Sequence, residues 1–173
     1  MVEVRRLRPE DDRSSFSSGN ADLDRFFRSY AGQNQFRLHV GTTYIAAEER
    51  DVLGFVTVVA TSIVIEDLPA RQRRGIPKYP LPALRVARLG VAATAQGKGV
   101  GRRLLRAAFH ISHEISNLAG CVGVIVDAKL ETVSFYEQFG FECVDVLQGG
   151  LRDRPAPQAM FLPLGSIPNE PTT

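Results

Sequence analysis

Apolar positions along the chain switch between a period near two and a period near 3.6, and the switches mark out the elements. Val2, Val4 and Leu7 suggest a short first strand, and Ser17-Ser18-Gly19-Asn20 reads as a turn leading into a helix. Leu23, Phe26, Phe27 and Tyr30 then recur at helical spacing and predict an amphipathic helix over 21–35. Gly41 to Glu48 and Leu53 to Ile65, rich in Thr, Val and Ile, read as two strands joined at Glu49-Arg50-Asp51 into a hairpin. Four prolines between Leu68 and Pro82 predict a loop or a partly helical insertion, followed by a strand over 85–91. Val100, Leu104, Leu105, Ala108, Phe109 and Ile111 define the apolar side of a long helix over 99–118. Val122 to Val126 is a short, wholly apolar strand, as expected where both faces are covered. A helix over 131–139, ended by Gly140, leads to a strand over 141–147, a loop over 149–157 and a last strand over 159–164.

This order gives an α/β (α+β) chain with one central mixed sheet and no internal repeat. At 173 residues the size is that of one domain, expected over 1–164, with a flexible tail over 165–173. A 44% hydrophobic, 23% charged composition is that of a globular protein, and it needs neither disulfides nor metal to fold. Cys121 and Cys143 are both expected in the core. His110 and His113, one helical turn apart, lack further ligands, so no metal is expected. The N-terminus turns acidic at Glu10-Asp11-Asp12 without an apolar run, and Val52 to Ile65 is too short to cross a bilayer. A cytoplasmic protein without membrane contact is the expectation.

The net charge of +2 conceals a local imbalance. From Leu68 to His113 there is no Asp or Glu, yet the segment holds ten of the 21 basic residues, leaving 11 against 19 acidic ones elsewhere. Such segregation focuses a positive field on part of the surface and suits an anionic ligand or partner.

Within that segment, Gln96-Gly97-Lys98-Gly99-Val100-Gly101-Arg102 lies between a strand and a helix. Alternate glycines let successive backbone N–H groups point at one ligand, and the positive end of the following helix adds to them, a combination suited to phosphate oxygens. Turn residues alone would also make an ordinary loop. A Walker A loop closes on Lys-Ser or Lys-Thr, which this segment lacks, and a dinucleotide fingerprint needs a glycine at position 104, which is Leu104.

Arg88-Leu89-Gly90-Val91 followed by Gln96-Gly97-Lys98-Gly99-Val100-Gly101 resembles the acetyl-CoA signature of the GNAT superfamily of N-acetyltransferases. Asp127-Ala128 and then Ser134-Phe135-Tyr136-Glu137-Gln138-Phe139-Gly140-Phe141 resemble its downstream segment. The likeness runs from Glu3 to about Pro163. It implies the GNAT fold, with a mixed, mostly antiparallel sheet of six to seven strands flanked by helices. It also implies acetyl-CoA as cosubstrate, held by Leu89, Gly90, Val91, Gln96, Gly97, Lys98, Gly99, Val100, Gly101, Arg102 and Phe135, with Tyr136 as catalytic acid. Phe16-Ser17-Ser18-Gly19, Leu23-Asp24-Arg25-Phe26 and Pro77-Lys78-Tyr79-Pro80-Leu81-Pro82-Ala83 narrow the likeness to acetyltransferase toxins of bacterial toxin–antitoxin pairs, which acetylate the α-amine of aminoacyl-tRNA. That narrower likeness implies a ribbon-helix-helix antitoxin as partner, and relatives are often homodimers. Many relatives carry an acidic residue where this chain has Ala92, a change expected near the cofactor mouth.

The residues add a chemical argument. A phenol with pKa about 10 can protonate a thiolate whose acid has pKa about 8.5. The strand over 84–91 contains no Asp, Glu or His. Deprotonating a lysine amine at pH 7 costs over about 4 kcal/mol, whereas an α-amine of pKa about 7.7–8.0 costs only about 1 kcal/mol. A site without an evident base therefore suits an α-amine. Glu48 and Glu49, expected at the hairpin tip, are the alternative as bases acting through water. Arg71, Arg73, Arg74, Lys78, Arg85 and Arg88 are candidates for gripping tRNA phosphates, and Arg71 to Lys78 equally for an acidic antitoxin segment. An acetyltransferase of small or protein amines, and an acetyl-CoA-binding module without turnover, are the alternatives.

Overall fold

A computed structural model describes residues 1–144 and 157–168. Seven strands form one sheet in the order β1-β2-β3-β4-β5-β7-β6. They are β1 (Glu3–Arg6), β2 (Thr42–Glu48), β3 (Asp51–Ile63), β4 (Leu81–Val91), β5 (Gly123–Ala128), β6 (Glu142–Cys143) and β7 (Gln158–Pro163). The pairs β1–β2, β2–β3, β5–β7 and β6–β7 are antiparallel. Backbone contacts divide the chain into two compact units, one of residues 1–59 and 86–111, the other of residues 60–85 and 112–173.

In the first unit the predicted N-terminal helix forms and runs three residues further than its apolar spacing suggests. It comprises α1 (Ala21–Arg25), a π-helical turn over Phe26–Tyr30, α2 (Ala31–Gln33) and a second π-helical turn over Asn34–Leu38. Asn20 caps it by accepting the Leu23 N–H. Each π turn closes on the fifth residue rather than the fourth, so the buried face passes from Phe27 to Ala31 and Gln35. Tyr30, expected on the apolar face, is consequently turned outward and half exposed.

Phe27 lies flat against Phe55 of β3 (4.4 Å, 9°), and Phe16 meets both rings edge-on. Buried Gln35 ties the layers together, donating to the Leu7 carbonyl and accepting the Thr43 N–H. The β2–β3 register shifts between Ala46 and Ala47, so Leu53 faces no residue of β2, and its carbonyl accepts the Ala92 N–H at the end of β4. Helix α3 (Val100–Leu118) buries Val100, Leu104, Leu105, Ala108 and Phe109 as patterned, while Ile111 is only half-buried.

In the second unit, Ile63, Leu68, Leu81, Ala83, Ile125, Val144, Ala159 and Phe161 form one core. Strand β4 begins four residues before the predicted start because Leu81, Ala83 and Leu84 are buried sheet residues. Proline reads as a strand breaker, yet Pro82 sits in the strand with its ring exposed and its carbonyl accepting the Val122 N–H. The insertion before it contains two short 3₁₀ turns, Ile65–Asp67 and Ala70–Gln72. Helix α4 (Val133–Glu137), entered through a 3₁₀ turn at Leu130–Thr132, is shorter than the predicted 131–139 and is capped by Gln138 rather than Gly140, which takes a left-handed φ of 94° in the turn that follows.

The strand predicted over 141–147 is described only as Glu142–Cys143; its remaining positions from 145, and the predicted loop as far as 156, lie outside the described residues. Cys143 is exposed rather than in the core, because β6 is the last strand of the order and has only β7 beside it. Packing continues past the expected boundary at 164. Ile167 is buried, and its carbonyl meets His113 Nε2 at 3.0 Å. No helix among the described residues is long and apolar enough to cross a membrane.

Candidate active site

The first unit carries the glycine turn. Strand β4 ends at Val91, a 3₁₀ turn at Ala93–Ala95 follows, and the chain then passes through Gly97 (φ 77°) and Gly99 (φ 81°) into α3. Both glycines are left-handed, a conformation that L side chains rarely adopt. A Cβ at either position would meet no atom within 4 Å, so the space beside this backbone is open. Gly101 has no positive φ and belongs to the first turn of α3, so two of the three glycines, not all, shape the turn.

The Arg103 N–H closes the first helical bond onto the Gly99 carbonyl. Helix geometry leaves the preceding amides, from Val100 and Gly101 onward, without intrahelical acceptors. Val100 is buried and anchors the helix, while Lys98, Arg102 and Arg103 are exposed around its start. Donors, helix dipole and cations thus converge on open space beside the turn. This fits the diphosphate of acetyl-CoA.

Gln96 serves this turn from within. Its side-chain amide donates to the carbonyls of Ser18 (2.8 Å) and Val91 (3.1 Å). Ser18 in turn donates through N (2.9 Å) and Oγ (2.7 Å) to the buried carboxylate of Asp24, and the Ala93 N–H reaches the Ser17 carbonyl (2.9 Å). A brace therefore runs from helix α1 to the end of β4. Sequence reasoning read 17–20 as turn and cap residues and Phe16–Gly19 as part of the family likeness; nothing in their spacing reveals partners some 75 positions away.

Leu89 and Val91 are half-buried and Gly90 is buried. Glycine is required at 90 by packing, since a Cβ there would lie 2.8 Å from the Phe55 ring. Gly54 is required by the neighbouring strand, since a Cβ there would lie 2.9 Å from the Gly90 carbonyl and 3.0 Å from Val100 and Leu104. Sequence reasoning did not single out Gly54.

The second unit carries Tyr136, buried in α4 between the edges of Phe135 (5.1 Å) and Phe141 (5.5 Å), with Phe135 also against Phe139. Its hydroxyl has no hydrogen-bond partner among the described residues. Burial penalises the phenolate and pushes the pKa up to about 12. The hydroxyl therefore keeps its proton across the neutral and mildly alkaline range.

The six candidate phosphate-binding cations divide. In the second unit, Arg71 pairs with Glu142, Arg85 with Asp127 at 2.5 Å, and Arg73 donates to the carbonyls of Leu68 and Glu66. Arg74 and Lys78 are exposed. In the first unit, Arg88 lies over the Phe26 ring, 4.8 Å from its centroid, and meets no carboxylate among the described residues.

The carboxylates that could act as base are engaged or remote. Asp24 is held by Ser18, Glu48 pairs with the N-terminal amine, and Glu49 sits with Glu48 at the hairpin tip as predicted. Cys121 is buried, donates to the Gly123 carbonyl, and has its thiol pKa raised by burial. Among the described residues no three His, Cys, Asp or Glu come together as metal ligands.

Residues 39–143 match the family model described as acetyltransferase (GNAT) domain. The chain is 34% identical over 142 residues to a tRNA-acetylating toxin of Mycobacterium tuberculosis (strain ATCC 25618 / H37Rv), spanning 80% of this chain and 82% of the relative. The solved structure of AtaT complexed with acetyl-methionyl-tRNAfMet superimposes with a TM-score of 0.85 at 24% identity, over 96% of this chain and 97% of that one. The crystal structure of AtaTR bound with AcCoA gives a TM-score of 0.78 at 25% identity, over 96% and 95% of the two chains.

Proposed function

Because the chain belongs to the acetyltransferase (GNAT) domain family, we propose that it transfers an acetyl group from acetyl-CoA to the α-amine of aminoacyl-tRNA, acting as a toxin that blocks translation. The observation that carries this reading is the likeness, across four-fifths of both chains, to a tRNA-acetylating toxin. The open left-handed turn at Gly97 and Gly99 supports the cosubstrate part of it.

Acetyl-CoA supplies the activated acyl group when bound. The chain's own residues hold and orient it. The amides of the turn and of the head of α3, with Lys98 and Arg102, hold the diphosphate. Leu89, Gly90 and Val91 present backbone groups beside the acetyl carbonyl, where an N–H would stabilise negative charge as it develops. Phe135 packs against the cosubstrate. Tyr136 keeps the proton that the leaving sulfur takes, and the phenolate regains one from solvent or takes the proton the acylated amine sheds. The phenol's raised pKa makes proton transfer to a fully hydrated thiolate unfavourable, so the transfer suits a sulfur deprived of water.

No carboxylate stands in β4, and the acids discussed above are occupied or at the hairpin tip, so the amine has to lose its proton to water at small cost. An α-amine meets that condition and a lysine amine does not. Arg74, Lys78 and Arg88 contact tRNA phosphates, with Arg71, Arg73 and Arg85 contributing where their internal bonds allow. Partners are charged tRNA and an antitoxin of ribbon-helix-helix type whose acidic segment covers the basic insertion; a homodimer accords with the same family. Charged tRNA as substrate places the protein in the cytoplasm. The domain takes in the expected 1–164 and also Ile167, which is buried beyond that boundary.

Labelled acetyl-CoA incubated with purified charged tRNA tests the reading. Label is expected on charged tRNA alone, and its transfer is expected to fall steeply between low and moderate salt. Equal labelling of deacylated tRNA, or none of charged tRNA, would overturn it. Salt-insensitive turnover on small amines would favour the small-amine alternative.

A further inference from the structure

The N-terminal helix widens into its first π turn at Phe26, and the two consecutive phenylalanines there both reach one ring, Phe55. Phe27 stacks on it at 4.4 Å and Phe26 at 6.2 Å (29°). Phe27 is fully buried, whereas Phe26 keeps part of its surface exposed. Over Phe26 lies the guanidinium of Arg88, which also donates to the Ala87 carbonyl at 3.0 Å. Arg88 is exposed. Its position on β4 is one residue before the Leu89–Val91 edge and about 10 Å of strand from Val91.

An exposed cation with no carboxylate beside it among the described residues, fixed in direction by an aromatic plane, has donors left over for an anion. This differs from Arg85, whose charge is already matched by Asp127. The reacting amine belongs to an aminoacyl group whose carboxyl is esterified to the terminal nucleotide, and the nearest anion to it is the phosphodiester joining that nucleotide to the chain. Resting on the tRNA reading above, we infer that Arg88 reads this 3′-terminal phosphodiester and that Phe26 is its positioning residue. The pair then selects an α-amine attached to a polynucleotide end over the same amine on a small ester.

Two substrates isolate the effect: purified charged tRNA, and an aminoacyl-adenosine, which carries the same amine and ester without a phosphate. R88Q is expected to raise KM for charged tRNA about five- to tenfold and to reduce the slope of log KM against log salt by about one. Its KM for aminoacyl-adenosine and its coenzyme A affinity should stay within about twofold, by loss of a phosphate contact alone. F26L, which keeps an apolar side chain but loses the ring face, should raise KM for charged tRNA about threefold with kcat little changed, and F26Y should restore it. Arg88 is on the surface, so R88Q tests the assignment even if F26L fails to fold.

Equal losses on both substrates, an unchanged salt slope, or weakened coenzyme A binding by R88Q would overturn the inference, the last by making the cosubstrate the source of the phosphate. A wild-type chain that acetylates no charged tRNA would instead defeat the proposed function, a distinguishable failure.

Discussion

The two units hold their functional groups in opposite ways. The first exposes what it offers: two left-handed glycines beside open space, a helix start, and Arg88 laid on an aromatic face. The second leaves Arg74 and Lys78 exposed but conceals or neutralises the rest: Tyr136 lies between aromatic edges, and Arg71 and Arg85 are matched by Glu142 and Asp127. Arg85 and Arg88 stand three residues apart on one strand and are alike in sequence, yet only Arg88 has charge left to give. A count of basic residues therefore overstates the ligand-binding capacity of a segment; the partners each cation has at home decide it. In the proposed mechanism burial has the opposite value for the phenol, since a proton carrier works only if it keeps its proton until the leaving group needs it.

The sharpest test of this contrast is the loss of the buried proton. Y136F should lower kcat by about a hundredfold or more, the scale of a general acid, while coenzyme A affinity measured by calorimetry stays near that of the wild type. The pH dependence sharpens the same point. The rate on charged tRNA, as kcat/KM, should rise as the α-amine loses its proton, with a midpoint of about 7.7–8.0. Burial holds the phenol protonated to about 12, so no fall due to Tyr136 should appear near pH 10. A falling limb at pH 10 that vanishes in Y136F would mean that water reaches the hydroxyl.

On the exposed side, Gly99→Val should weaken coenzyme A binding about tenfold or more, since a β-branched residue resists a left-handed φ and crowds the anion site. Gly90→Ala should act differently, lowering stability by about 1–3 kcal/mol in thermal melts, because the added methyl presses on the Phe55 ring. The smallest effect is expected at the neutralised cation. R85Q should change KM for charged tRNA less than about twofold, the ion pair with Asp127 having already consumed its charge.

Much of the fold was legible because its signals are local. Apolar periodicity located all seven strands and α3, with errors mostly at the ends. The early start of β4 was missed because Pro82 reads as a breaker, and only the Val122–Pro82 hydrogen bond shows that its carbonyl still serves the sheet. The exposure of Tyr30 was missed because a π turn leaves no mark in a 3.6-residue pattern. In the site, the glycine turn was legible from spacing, and the place of Tyr136 on a short helix from family likeness. The Gln96–Ser18–Asp24 brace, the stacking of Arg88 on Phe26 and the need for glycine at 54 were not, since each depends on residues far apart in the chain.

The most direct test of the account is a crystal structure with coenzyme A. The diphosphate should lie on the amides of 97–101, with the sulfur within hydrogen-bonding reach of the Tyr136 hydroxyl. A turn left empty by bound coenzyme A, or a sulfur held well away from that hydroxyl, would contradict it.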